Sequence, residues 1–179
     1  MVLRYFLKLS GWLITLLGLT LAPAKAVGQG SDLREYQIKA AFIYNFAVYV
    51  EWPTEQKPRT VCTLGADTFA PALETISGKV VKNQTLMVRR IAEIEDAGAC
   101  DILFIGRSER INLPSILDTV RNRPVLTISD MERFTHAGGM IGLLSRDNKV
   151  LFEINLKRAQ QSQLKVSCQL LKLARDVIE

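Results

Sequence analysis

The chain of 179 residues contains one histidine, His136, and three cysteines, Cys62, Cys100 and Cys168. A lone histidine excludes sites that need two imidazole ligands, which removes histidine–zinc protease motifs and two-histidine iron centres. No C-x-x-C occurs, so a zinc knuckle and a thioredoxin-type redox pair are both missing. There is no G-x-S-x-G elbow to carry a hydrolase serine. Gly138-Gly139 fits neither a P-loop nor a dinucleotide fingerprint and reads as a turn with positive φ. Lysine and arginine form no stripe interleaved with aromatics, which leaves nucleic-acid binding without support. The composition is not that of a disordered chain either. Hydrophobic residues make up 48%, enough at this length for one domain with a sizeable core.

What is present begins with an export signal. Arg4 and Lys8 make a short basic start, residues 11–21 an uncharged Leu-rich run, and Ala24-Lys25-Ala26 a small-x-small site. This is the layout of a secretory signal peptide over residues 1–26, cleaved before Val27. The apolar run is short for a span of about 20 residues, which argues against an uncleaved anchor. No cysteine follows it, so a lipoprotein anchor is not expected. Loss of Arg4, Lys8 and Lys25 lowers the net charge from +5 to +2, so much of the basic character belongs to the leader. Residues 27–179 show no repeat and no linker and read as a single domain.

Residues 32–51 predict a helix, with Asp32 as N-cap and Glu35 near a capping-box position. Between Ile38 and Val50 only Lys39 and Asn45 are strongly polar, so this helix should be buried on most sides. Trp52-Pro53 should end it. Strands and helices then alternate. Strands are expected at 60–65, 85–91, 102–105 and 125–128, and helices at 67–76 and at 113–120, the latter capped by Asn112. Near-continuous apolar strands between helices predict an α/β fold with a mostly parallel sheet flanked by helices, a three-layer sandwich. Residues 140–144 and 150–154 read as a C-terminal β-hairpin, and 157–178 as one long final helix. Cys168 lies in line with Leu164 and Leu171 on an apolar face of that helix, as a small buried hydrophobe would.

With Cys168 set aside, Cys62 and Cys100 are left to pair in an oxidising compartment. A disulfide needs Cα atoms within roughly 7 Å, and adjacent strands lie about 4.8 Å apart. The bond therefore wants the first and third strands side by side, which with right-handed crossovers gives the order 2-1-3-4. Closing a loop of about 38 residues is worth up to about 4 kcal/mol by the chain-entropy model. It can be a plain staple or a redox-sensitive bond.

That order places a crevice where the first and third strands diverge, beside Gly65-Ala66-Asp67 and Gly106-Arg107-Ser108, with Ser129-Asp130 further along. Asp67, Arg107 and Ser108 are the candidate ligand-binding residues. The same residues also serve as strand ends and helix caps. His136 reads as a cap or surface residue near the end of a short helix. Asp67, Ser108 and Asp130 have no fixed spacing that would define a carboxylate site. The residues favour a binding module over an enzyme, with no catalytic residue, metal or cofactor expected.

Three stretches resemble a known family. Lys39-Ala40-Ala41-Phe42-Ile43-Tyr44-Asn45-Phe46-Ala47, continuing to Glu51-Trp52-Pro53, resembles the N-terminal signature of the YfiR family. Residues 100–106 resemble its central strand. Phe152-Glu153-Ile154-Asn155-Leu156, with the apolar residues of 164–174, resembles its C-terminal block. The resemblance spans about residues 36–175. It implies a periplasmic repressor that binds the periplasmic sensor region of an inner-membrane GGDEF diguanylate cyclase, keeping cyclic di-GMP and biofilm formation low. It also implies a homodimer, and a disulfide at the positions of Cys62 and Cys100. A second family disulfide has no counterpart, since residues 138–152 contain no cysteine. By the same resemblance the partner patch falls around Ile141 and Glu153. Ile141 as core and Glu153 as a pairing residue is the competing assignment. The alternative function is a periplasmic small-ligand sensor that uses the crevice.

Overall fold

The computed structural model describes residues 29–54, 58–65, 69–147 and 149–179. The expected leader, residues 1–26, lies outside them, as does Asp67. Helix α1 spans Gln29–Tyr49. It starts before Asp32, which therefore lies inside the helix and is not its cap; a carboxylate is also tolerated in a first turn. From 38 to 50 only Ala41 and Asn45 are exposed, in line with the nearly all-apolar sequence. Ala40, Ile43 and Phe46 are fully buried. The helix stops at Tyr49, before Trp52-Pro53, because strand β1 (Val50–Glu51) is drawn into a two-stranded sheet with β9 (Lys165–Val166).

The remaining strands are β2 (Arg59–Leu64), β3 (Val80–Val81), β4 (Gln84–Ile91), β5 (Ile102–Ile105), β6 (Leu126–Ser129), β7 (Ile141–Arg146), β8 (Lys149–Asn155) and β10 (Asp176–Ile178). They form one sheet in the order β10-β8-β7-β6-β5-β2-β4-β3. Strands β4, β2, β5, β6 and β7 are mutually parallel. This is the expected 2-1-3-4 order with an antiparallel hairpin, β7–β8, added at one side. A short hairpin, β3–β4, escaped the sequence analysis. It turns through Lys82 and Asn83, both at positive φ.

Alternation along the strands divides the core in two. Val61, Ile102, Phe104, Leu126 and Ile128 face α1 and helix α2 (Ala70–Glu74). Cys62, Leu64, Leu103 and Ile105 face the 3₁₀ turn Ile94–Ala99 and helix α3 (Leu113–Thr119). Strand residues buried on both faces explain why the strands read as unbroken apolar runs. Asn112 does not cap α3; its side chain donates to Glu109. The 3₁₀ turn Arg107–Arg110 leads almost directly into α3 and supplies the preceding turn itself.

The single final helix is not formed. Residues 156–178 divide into α4 (Leu156–Gln161), β9, α5 (Cys168–Leu173) and β10. Asn155 caps α4 by accepting the Arg158 N–H, and Ser167 caps α5 by accepting the Leu170 N–H. Gln163 at positive φ breaks the run between them. The wide apolar arc has several destinations. Leu164 and Leu170 enter the core, Val166 pairs with Val50, and β10 runs parallel to β8. Cys168 is free and exposed, contrary to the expected buried position. His136 lies in an irregular turn and not in a helix. The glycines of that turn are required. Gly138 has φ +102°, and a Cβ on Gly139 would sit 2.1 Å from the Phe134 ring.

Candidate functional site

Parallel strands carry all their carboxyl ends to one edge of the sheet. There β2 sends the chain toward α2 on one face, and β5 sends it toward α3 on the other. That divergence is where open α/β sheets place ligands. A cleft of 360 Å³ lies beside it, lined by Glu35, Tyr36, Lys39, Arg107 and Ser145.

Lys39 organises the cleft. Its side chain is 1% exposed, and Nζ lies 2.6 Å from Glu35 Oε1 and 2.7 Å from Asp130 Oδ2. The ammonium also stands 5.3 Å from the centre of the Tyr36 ring. Arg107 reaches Asp130 Oδ2 at 3.2 Å while remaining largely exposed. Ser145 Oγ donates to Glu35 Oε1 at 2.6 Å, which joins the hairpin to α1. Burial by itself would raise the Glu35 carboxyl. Hydrogen bonds from Lys39 and Ser145 and the charges of Lys39 and Arg107 outweigh it and hold the group below its ordinary 4.5. Two cations and two carboxylates therefore balance around one opening. Such an arrangement can anchor α1 to the sheet edge, and it can meet a small polar ligand with donors and acceptors together.

Of the residues predicted for the crevice, Arg107 lies in the cleft and Ser108 does not. Ser108 Oγ faces Glu109, and it occupies the place where a Cβ on Gly65 would fall, 2.6 Å away. Gly65, at φ +107°, is thus a close-approach residue as well as a strand end. Asp130 is drawn in as a buried partner of Lys39. Lys39 itself was missed. The available signal was a lone charge in an otherwise apolar helix, which is a snorkelling or buried-pair position.

The other end of the strands holds a second buried pair. Arg59 Nη1 lies 3.1 Å from Asp101 Oδ1, the Thr60 N–H donates to Asp101 Oδ2 at 2.7 Å, and Trp52 Nε1 donates to the Asp101 carbonyl. The Arg59 guanidinium stacks 3.9 Å from the Trp52 ring centre. Burial raises the Asp101 carboxyl above its ordinary 3.8, with the Thr60 N–H and the Arg59 charge opposing it in part. Next to Asp101, Cys100 is bonded to Cys62 with a Cα separation of 5.9 Å.

The candidate partner residues Ile141 and Glu153 lie in β7 and β8, the two strands of the hairpin. Ile141 is 0% exposed, paired with Ile128 and Ile154 inside the core, so its side chain is not offered to a partner in this fold. Its place in β7, sandwiched between neighbouring strands under α1, is the reason. Glu153 is partly buried; its oxygens take a hydrogen bond from Thr135 and an ion pair from Arg175. His136 Nδ1 lies 3.4 Å from the neighbouring Thr135 hydroxyl. Among the described residues no group of three or more His, Cys, Asp or Glu is placed to hold a metal, and no helix is long and apolar enough to cross a membrane.

Lys39, Trp52, Cys100 and Glu153 all fall within residues 36–175, and that span matches the family model described as YfiR/HmsC-like. The chain belongs to the YfiR/HmsC-like family. The family is one of regulatory, non-catalytic proteins of the periplasm. Two solved structures share the fold of this YfiR/HmsC-like chain. One is described as an ABC domain in complex with L-Trp from Streptococcus pneumonia, at 12% identity and TM-score 0.52 over 80% of this chain. The other is a conserved domain protein from Vibrio cholerae O1 biovar El Tor, at 9% identity and TM-score 0.57 over 79%. The match spans 60% of each of those chains. At such identities the likeness concerns the α/β architecture alone.

Proposed function

We propose that this protein is a periplasmic repressor, exported by a cleaved signal peptide over residues 1–26, with residues 27–179 as its single domain. It binds the periplasmic region of a membrane-bound GGDEF diguanylate cyclase, acts as a homodimer, and keeps cyclic di-GMP low. The observation that carries this is the YfiR/HmsC-like match over residues 36–175. A repressor of this kind works only by preferring the inactive state of its partner, since equal affinity for both states shifts nothing. Deleting the gene should raise cellular cyclic di-GMP, and the purified protein should bind the periplasmic region of the cyclase. An unchanged cyclic di-GMP level would refute the proposal.

The partner face includes the surface around Glu153, where Arg175 lies 3.6 Å from the carboxylate. Ile141 contributes by joining β7 to β6 and to β8, the strand that carries Glu153. A second reading, a small-ligand sensor, is favoured by the polar cleft at Lys39 and Arg107. Thermal-shift screening of nucleotides and amino acids tests it. No shift at millimolar ligand would remove its support.

A further inference from the structure

The cleft at the carboxyl ends of the strands is neutral before anything enters it. Lys39 and Arg107 bring two positive charges, Glu35 and Asp130 two negative ones, and each of the four stands in an ion pair. Those contacts use only part of the hydrogen-bonding capacity. Lys39 and Ser145 both reach Oε1 of Glu35, which leaves Oε2 without a partner among the described residues, in a side chain 34% exposed. Arg107 meets Asp130 through Nη2, and the rest of its guanidinium fork has no partner among the described residues. The Ser145 hydroxyl gives its proton to Glu35 and keeps its lone pairs. Tyr36, half-buried, adds an aromatic ring to the same lining.

We infer that this cleft binds a neutral polyol, a monosaccharide, held by Glu35, Arg107 and Ser145; the inference deepens the small-ligand reading and rests on it. An anion entering here competes with Asp130 for Arg107, and an ammonium competes with Lys39 for Glu35. Either leaves an excess charge in a site whose charges already cancel, and a zwitterion has to break into both pairs. A sugar hydroxyl offers one donor and two acceptor lone pairs. Neighbouring hydroxyls therefore donate to Glu35 Oε2 and accept from Arg107 with both ion pairs intact, and a third donates to Ser145 Oγ. Hydrogen bonds of this kind, with one partner ionised, are the stronger ones. The C–H face of the sugar ring covers the Tyr36 ring. A volume of 360 Å³ is at the lower end of ordinary ligand clefts, about 300–1,000 Å³, which suits one sugar ring and not a chain of them. The three polar contacts come from α1, from the turn after β5 and from β7, so a bound sugar ties the hairpin to α1.

The test is saturation-transfer NMR on the full mature chain with D-glucose, D-galactose and D-mannose as probes, and with serine as the zwitterionic comparison. At least one of the sugars should bind, and serine should bind at least about tenfold more weakly, the difference of a hydrogen bond to a charged group. Arg107→Ala should weaken the sugar by about tenfold and Ser145→Ala by about threefold. Both side chains are exposed, so neither truncation should disturb the fold. A sugar that binds both variants as it binds the parent sits elsewhere and overturns the inference. Serine binding as tightly as the best sugar overturns the ligand class and leaves the small-ligand reading standing. Silence from all four probes overturns both.

Discussion

The two buried ion pairs stand at opposite ends of the same parallel strands and solve the same problem differently. At the amino end, Arg59 and Asp101 are sealed: both side chains are under 10% exposed, Trp52 covers the guanidinium, and a backbone N–H takes the second carboxylate oxygen. At the carboxyl end, Lys39 is equally buried, yet its partners open onto a cleft and Asp130 has a second cation in Arg107. The sealed pair fixes where β2 begins and holds the segment beside the disulfide. The open one joins α1, β6 and β7 while leaving polar groups accessible. Charge burial thus serves rigidity at one end and a candidate site at the other.

The largest expected effect comes from breaking the sealed pair. Arg59→Met leaves Asp101 without its cation and removes the Trp52 stack, and should cost about 3–5 kcal/mol in urea unfolding. Lys39→Met keeps the aliphatic bulk and leaves Arg107 on Asp130, so a smaller loss of about 2–3 kcal/mol is expected. If the two variants lose the same stability, the distinction between the ends fails.

Acid sharpens the contrast because the Asp101 and Glu35 carboxyls are shifted in opposite directions. The Asp101 carboxyl is raised, so its contribution is full below its ordinary 3.8 and is lost as pH rises through the folded-state value. The Glu35 carboxyl is lowered, so its contribution is present above 4.5 and is lost as pH falls through the folded-state value. Between neutral pH and about pH 3.5, Asp101→Asn should lose more stability than the parent and Glu35→Gln less, each by about 1 kcal/mol or under. Urea midpoints at the two pH values measure this, and slopes of the same sign would contradict it. The smallest effect belongs to Arg107→Ala, below about 1 kcal/mol, since its side chain is 65% exposed. A larger loss in the same unfolding experiment would make Arg107 a structural member of the cleft.

Much of the sheet was legible from residue pattern. Apolar runs located β2, β4, β5 and β6, and pairing Cys62 with Cys100 made the first and third strands neighbours. Residues 156–178 were not legible in the same way. Their spacing satisfies a helix, and only the proximity of Val50 to Val166 and of β8 to β10 shows that strand pairing wins there. The same error placed Cys168 on a buried helical face. Lys39 looked like an exception in an apolar helix because its partner, Asp130, is 91 residues away. Ile141 illustrates the reverse case: an apolar strand residue has no way to announce whether its neighbours cover it or leave it to a partner.

Period and composition, acting over a few residues, determined by themselves which segments become the parallel strands and that the chain is α/β. Family membership was also written in local motifs. The tertiary structure alone decided which charges are buried and where residues 156–178 go. Those outcomes depend on groups brought together across long stretches of chain. Their energies come from desolvation and pairing that do not exist until the sheet has formed.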